Sequence, residues 1–330
     1  MRACIVVPTI REESIARFLR EWRREFADHT VLVIEDNPSK SFGIDGANVR
    51  HYSWTEIDQE LGELSWIIPR RTDCIRSFGF YKAYQLQPDF VVSLDDDCYP
   101  LDDGFLKQHY ARLTQPARSA AWLSTMDGVV PRGVPYHRTM REGECVLSHG
   151  LWQNVPDLDA VSQLAAVRHP HAAVPKDQFI PRATYFPMCG MNVAVKTKVV
   201  PAFYFLLMGQ GYTFDRFGDI WAGVLLKRIC DHLGLFVHSG SPLVHHARAS
   251  DVWSNLKKEV PGLEINERLW SVVDAVALTG TTFGECYAEL AATLPMEGPY
   301  WDKVKQAMLV WTQLFDVSRQ SNVTGHIAAV

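Results

Sequence analysis

At 330 residues, with 47% hydrophobic and 22% charged residues, the chain can build one large α/β domain, or one domain with an extension, without a staple to hold its core. A formal net charge of -5 excludes the basic surface that a nucleic-acid binder requires, so the expected partner is a small molecule and not nucleic acid. Seven cysteines without paired metal-finger spacing fit reduced thiols in a cytoplasmic protein, with Cys98, Cys189 and Cys230 as those that can line a site.

The first apolar run, from Ala3 to Val7, is β-branched and meets Pro8 and charged residues at once, which reads as a strand rather than a signal peptide. No apolar stretch approaches the roughly 20 residues of a membrane span, so no integral membrane segment is expected. Thr9 with Glu12 has the capping-box spacing that opens a helix, and Ile15, Phe18, Leu19, Trp22 and Phe26 follow as one helical stripe. Residues 31–34 and 90–94 predict two more strands, the first ending in Glu35-Asp36 and the second in Asp95, Asp96 and Asp97. Near-continuous apolar strands alternating with amphipathic helices imply a mostly parallel sheet covered on both faces, with ligands at the carboxyl ends of the strands. Pro8-Thr9, Glu35-Asp36 and the three aspartates can all lie on that edge.

Residues 115–190 are rich in Pro, Gly, His and Arg and show weak periodicity, as a long functional loop region would. Residues 219–233 return to helical spacing, and 236–238 and 243–245 predict two short late strands. Trp301, Val304, Met308, Trp311 and Phe315 share one helical face, and with residues 263–294 they form a helical extension.

The strongest chemical signal is SLDDDCYP. Three adjacent carboxylates repel one another unless a cation or dense hydrogen bonding compensates them, and a hard divalent ion is the usual solution. Manganese or magnesium takes carboxylate and diphosphate oxygens together. Asp97, farthest from the strand, is the first candidate ligand; Asp95 suits a ribose or an indirect contact. His245 and His246 follow a late strand, and either can complete such a shell through a neutral imidazole. Lys257 and Lys258 supply point charges for a diphosphate or form a solvated helix face. Arg132, Arg138 and Arg141 crowd one segment beside His149 and Trp152, as anion recognition or as surface ion pairs. Gly190 and Asn192 close the word FPMCGMN, which makes a tight turn under a sugar or packs in the core. Asp219 precedes a helix that it either caps or leaves to contact sugar hydroxyls.

In one order, from roughly residue 5 to 315, the chain carries VVPTIR, IEDNPSK, RSFGF, SLDDDCY, SHGLW, FPMCGMN, DIWAG, ICDHLGL and NLKKE. This ordered set resembles the reversibly glycosylated polypeptides, also called UDP-arabinopyranose mutases. The resemblance implies a GT-A-like nucleotide-diphospho-sugar transferase fold over residues 1–260, with 261–330 as a helical extension packed on it. It also implies a UDP-sugar substrate, Mn2+ or Mg2+, a homo-oligomer, and interconversion of the pyranose and furanose forms of UDP-arabinose.

By the same resemblance the sugar is carried on an arginine of an RG-x-P segment, here Arg132, with Arg141 and Asp219 as further catalytic positions. Asp97 and His246 are the implied metal ligands. Pro8, Thr9, Arg11, Glu35, Asp36, Arg76, Asp95, Asp96, His149, Trp152, Gly190, Asn192, Lys257 and Lys258 are the implied nucleotide-sugar contacts. A carboxylate must take a proton from so basic a nucleophile; Asp219, Asp157 and Asp159 are the candidates. Gly218 stands where the pattern leads one to expect another aspartate. The rival functions are a metal-dependent glycosyltransferase using a UDP-sugar donor and a non-catalytic partner in polysaccharide synthesis.

Overall fold

The computed structural model describes residues 1–120, 129, 132–135, 140–165, 176–247 and 250–316. In chain order the first half contains β1 (Ala3–Thr9), α1 (Glu12–Glu21), β2 (Thr30–Glu35), β3 (Val49–Tyr52), α2 (Trp54–Leu61), α3 (Arg76–Leu86), β4 (Phe90–Leu94), β5 (Cys98–Pro100) and α4 (Phe105–Thr114). There follow β6 (Ala117–Ala120), β7 (Met140–Gly143), β8 (Cys145–Asn154), α5 (Ala160–Ala165), β9 (Gln178–Phe179), β10 (Asn192–Lys196), α6 (Gly218–His232) and β11 (Phe236–His246). The chain continues through α7 (Val252–Asp274), α8 (Phe283–Thr293) and α9 (Pro299–Gln313).

The main sheet has the order β3-β2-β1-β4-β10-β8-β11-β5, with β9 against β11. Strands β3, β2, β1, β4, β8 and β11 point one way, and β10, β5 and β9 run against them. This is the mostly parallel α/β arrangement expected from the sequence. Because β10 is reversed, its first residue, Asn192, lies opposite Leu94 at the same edge where β1, β2, β4, β8 and β11 end. That edge carries the aspartates.

Burial explains the strands. Residues 3–9 of β1 are buried throughout, as the continuous β-branched run requires of a strand covered on both faces. The stripe Ile15, Phe18, Trp22 and Phe26 is buried against one face, with Trp22 stacked on Phe26 at 4.8 Å. On the other face α3 packs on β1 and β2, and α6, α8 and α9 share its core.

Three expectations need correction. Thr9 does not cap α1: the cap position is Arg11, with no side-chain cap bond, because the Thr9 hydroxyl is committed to Asp96 at 2.6 Å. The two late strands are one, β11, with register shifts between Gly240 and Leu243. Among the described residues of 115–190 the chain is not irregular throughout, since β8 is a ten-residue central strand. Its polar residues hid it: Ser148 bonds His109, and His149 bonds Ser239.

Helix α7 runs across position 260, with Pro261 inside it. Trp301, Val304, Met308 and Trp311 on α9, with Phe315 after it, are all buried, and Trp301 stacks on Trp221 of α6 at 5.5 Å. Among the described residues no helix is long and apolar enough to cross a membrane. The seven cysteines are free thiols.

Gly79 is where α3 crosses β1: a Cβ there would lie 2.3 Å from Val6 Cγ1 and 3.2 Å from Ile34 Cγ1. Gly79→Ala should lower stability by about 1–3 kcal/mol through overpacking. Urea unfolding checks this as a lower midpoint at unchanged slope; an unchanged midpoint would mean the layers can separate without cost.

Candidate functional site

At the carboxyl edge each of the three aspartates has a different partner. Arg76, in the first turn of α3, is only 1% exposed and is satisfied from several sides. Its Nη2 donates to Asp95 at 2.5 Å, its Nη1 to Ser93 Oγ and the Gly190 carbonyl at 2.8 Å each, and its Nε to the Asp73 carbonyl at 3.0 Å. Burial alone would raise the Asp95 carboxyl, but the Arg76 charge and hydrogen bond outweigh it and hold Asp95 below the usual carboxylate range.

Asp96 turns inward, accepting from Thr9 and in a close pair from Arg11; burial still raises its carboxyl. Arg11 reaches Asp97 more distantly, Nη2 to Oδ2 at 3.4 Å.

The other oxygen of Asp97 faces His246 Nε2 at 3.9 Å. His246 Nδ1 lies 2.9 Å from the Val155 carbonyl. A carbonyl can only accept, so Nδ1 carries a proton, and Nε2 is the nitrogen that a neutral ring would offer as a ligand toward Asp97. His245, one residue earlier on the strand, points to the opposite face. Asp97 and His246 thus fit a hard divalent ion with two donors. Among the described residues no group of three or more His, Cys, Asp or Glu is arranged to hold one. Such an ion would complete its shell with diphosphate and water.

Beside Arg76 opens a cavity of about 290 Å³ whose walls include Asp95, Asp157, Cys189, Arg216 and Asp219. Larger cavities, of about 500 and 570 Å³, lie beside α1 and beneath α9, away from the strand ends, so size does not locate the site. Asp219 sits in the first turn of α6 and accepts from its own helix at Ile220 N and from Gly190 N, both at 2.8 Å. Burial, and then the charge of Asp73, raise its carboxyl to about 7 against the Gly190 amide and Arg76. Asp157 accepts from the Cys189 thiol at 2.7 Å, and Asp159 is bonded to Ser162 in α5. Arg216 is held at Nε by the buried Glu259 at 3.2 Å, and Glu259 also accepts from Ala160 N. A cavity of this kind suits a polyhydroxy group beside an acid–base carboxyl.

Other expected contacts are spent inside the chain. Glu35 accepts from Asn37, Ser41 and His51, which bind the loop after β2; burial opposes its charge, but these bonds hold its carboxyl below the usual range. Asp36 accepts from Trp54 Nε1 and Thr72 N. The Asn192 amide is used by Leu151 and Pro242 carbonyls and by His109. His149 accepts from Cys189 N at 3.2 Å, and burial pushes it down to about 4, so it is a neutral brace for the 186–190 turn. Pro8 is buried opposite Ile34, and Trp152 is half-buried beside the β1 core.

Lys258 pairs with Asp215 at 3.3 Å and stays exposed, as does Lys257. Cys98 and Cys230 are buried away from the cavity; Cys189 lines it. Neither Arg132 nor Arg141 lines the cavity. Arg132 is exposed in a turn with Gly133, and Arg141 on β7 lies 5.9 Å over the Phe236 ring, at the start of β11 and therefore at the opposite sheet edge. Arg138 lies outside the described residues. Asp73 and Glu259 escaped sequence reasoning; their only signals were an acid three residues before Arg76 and an acid closing NLKKE.

Over residues 2–320 the chain matches the model of the family described as reversibly glycosylated polypeptide. It is 34% identical to UDP-arabinopyranose mutase 1 of Arabidopsis thaliana, over 94% of this chain and 91% of that protein. The chain belongs to the reversibly glycosylated polypeptide family. It is also 34% identical to probable UDP-arabinopyranose mutase 2 of Solanum tuberosum, covering 97% and 91% of the two chains. Among solved structures, a mannosyltransferase from Pyrobaculum calidifontis in complex with GDP-Man and Mn2+ has 12% identity and a TM-score of 0.42, covering 96% of this chain and 88% of that one.

The glycine before Asp219 now has a physical reason in this member of the family. A Cβ on Gly218 would stand 2.2 Å from Cys74 Sγ and 2.6 Å from the Phe205 carbonyl oxygen, so an aspartate has no room and would bury a charge against a carbonyl. Gly218→Asp should therefore destabilise the fold by about 3 kcal/mol or more, as overpacking and buried charge combine. Thermal unfolding measures this, and a wild-type melting temperature would refute it.

Proposed function

We propose that the chain is a UDP-sugar mutase that interconverts UDP-arabinopyranose and UDP-arabinofuranose, and we assign it to the cytoplasm on the strength of its seven free thiols. The observation that carries the reading is Asp219: a carboxyl raised to about 7 in a cavity at the strand ends, beside the Arg76–Asp95 pair, in a chain whose relatives are named for this activity. A divalent ion held by Asp97 and His246 would neutralise charge on the departing diphosphate.

To contract the ring and return the sugar to UDP, the bond from the anomeric carbon to the diphosphate must break, with its electron pair leaving on a phosphate oxygen. A guanidine nitrogen of Arg132 then bonds to that carbon and gives its proton to a carboxylate. As the bond from the anomeric carbon to O5 opens, O5 gains a proton; as O4 closes on that carbon to give the furanose, O4 loses one. A diphosphate oxygen then bonds to the anomeric carbon as the arginine nitrogen departs and regains its proton. A carboxyl near 7 can give the proton to O5 and take the one from O4 at neutral pH. Arg76 keeps Asp95 ionised and fixes Gly190, whose amide orients Asp219. The role of Arg132 rests on its matching RG-x-P segment alone.

Purified protein incubated with radiolabelled UDP-arabinopyranose and no acceptor should yield the furanosyl nucleotide. Slow hydrolysis alone would point to a transferase, and no product to a binding role. Asp219→Asn should lower kcat by about 10²–10⁴-fold at little change in UDP affinity, and its pH–rate profile should lack the wild-type inflection near 7. Arg132→Lys should abolish a covalent pentose adduct in intact mass spectra; an unchanged adduct mass would remove Arg132 from the mechanism.

A further inference from the structure

Three adjacent carboxylates would be expected to take up a cation readily, but among the described residues the cluster already contains two. Arg76 serves Asp95, and Arg11 serves both of the others. Arg11 is anchored at its backbone, where its N–H donates to Thr9 Oγ at 3.1 Å, and the same hydroxyl bonds Asp96. Its guanidinium puts Nη2 closest to Asp96 Oδ1, with Nε 3.4 Å from Oδ2. The longer contact from Nη2 to Asp97 Oδ2, at 3.4 Å, is the weaker of its two attachments. Asp96 is 3% exposed at its side chain and Arg11 37%, so the acid is fixed and the guanidinium stands at the surface of the site.

We infer that Arg11 is a resident counter-cation whose contact with Asp97 makes divalent-metal binding depend on the nucleotide diphosphate. This rests on the reading of Asp97 and His246 as the metal pair. An ion arriving at Asp97 in the free protein meets a positive charge that already touches one of its two oxygens, so its binding is opposed. A diphosphate beside Arg11 offers that guanidinium a second anion, and a fork of donors suits phosphate as well as carboxylate. The contact with Asp97 yields first, because the closer pair with Asp96 can persist. Metal and nucleotide then assist each other by one common factor. The acid cluster stays compensated in either state.

The test is Mn2+ binding, read from the electron paramagnetic resonance signal of free Mn2+, with and without UDP. Wild-type protein should bind Mn2+ weakly alone and at least about tenfold more tightly with UDP. Arg11→Gln should bind Mn2+ without UDP about tenfold more tightly than wild type, and the enhancement by UDP should shrink. Arg11→Lys keeps a charge for the buried Asp96 but has no fork to span two carboxylates, so it should show a smaller gain in the same direction and serves if Arg11→Gln does not fold. Equal or weaker Mn2+ binding in both variants without UDP, while wild type still binds Mn2+ with UDP, overturns the inference and leaves the metal pair standing. No Mn2+ binding by wild type even with UDP overturns the metal pair and this inference with it.

Discussion

The buried guanidinium of Arg76 is the constraint on which both fold and site depend. A charge that is 1% exposed must find its partners within the protein, and Arg76 finds them on β4 through Ser93 and Asp95, on the chain before α3 through Asp73, and on the turn before β10 through Gly190. Each of these segments is thereby set relative to the others. Gly190 carries the constraint one step further, since its carbonyl accepts from Arg76 and Ser93 while its amide donates to Asp219 at the start of α6. The strand edge, the turn and the helix that form the cavity meet at one side chain.

The pairing of the aspartates changes the argument for a metal. Crowding alone does not demand one, because Arg76 and Arg11 supply positive charge to the cluster and Thr9 adds a hydrogen bond. What favours an ion is geometry: an imidazole that donates through Nδ1 to the Val155 carbonyl turns its Nε2 toward one oxygen of Asp97. The basis for the metal thus moves from the count of carboxylates to the orientation of one histidine.

The strands and their common edge were legible because buried parallel strands need unbroken apolar runs, and residues 3–7, 31–34 and 90–94 provide them. Strand β8 was not, because Ser148, His149 and Gly150 interrupt its pattern; the first two find polar partners within the interior, while a side chain on Gly150 would collide with Asn192. The same limit applies to the site. Glu35, Asp36, His149 and Asn192 are of types that bind sugars and nucleotides, and they lie near the correct edge, yet their polar atoms are engaged by the chain. Residue type tells what an atom can bond to, whereas only the packing decides whether a ligand or the backbone receives that bond. Asp73 and Glu259 show the converse, gaining a role from neighbours distant in sequence or unremarkable beside them.

Asp219 shows how packing raises a carboxyl whose position argues for the opposite shift. The first turn of a helix favours a negative charge, and two amides donate to this carboxylate. Both effects would lower its pKa, but burial and the Asp73 charge prevail and raise it to about 7. The carboxyl is held there by close approach on both sides, with Phe205 and Asp219 itself crowding Gly190 and with Cys74 and Phe205 crowding Gly218. The arrangement costs stability in a definite pH range. A carboxyl raised in the folded state binds protons that the unfolded chain has released, so its contribution falls as pH rises from the ordinary carboxylate range toward 7. Asp95, whose carboxyl Arg76 holds down, acts in the opposite sense and adds stability as pH rises through the carboxylate range. A carboxyl kept protonatable near neutral pH meets the condition for both giving and taking a proton, and its place in the cavity beside Arg76 is what sets Asp219 apart from the likewise raised Asp96.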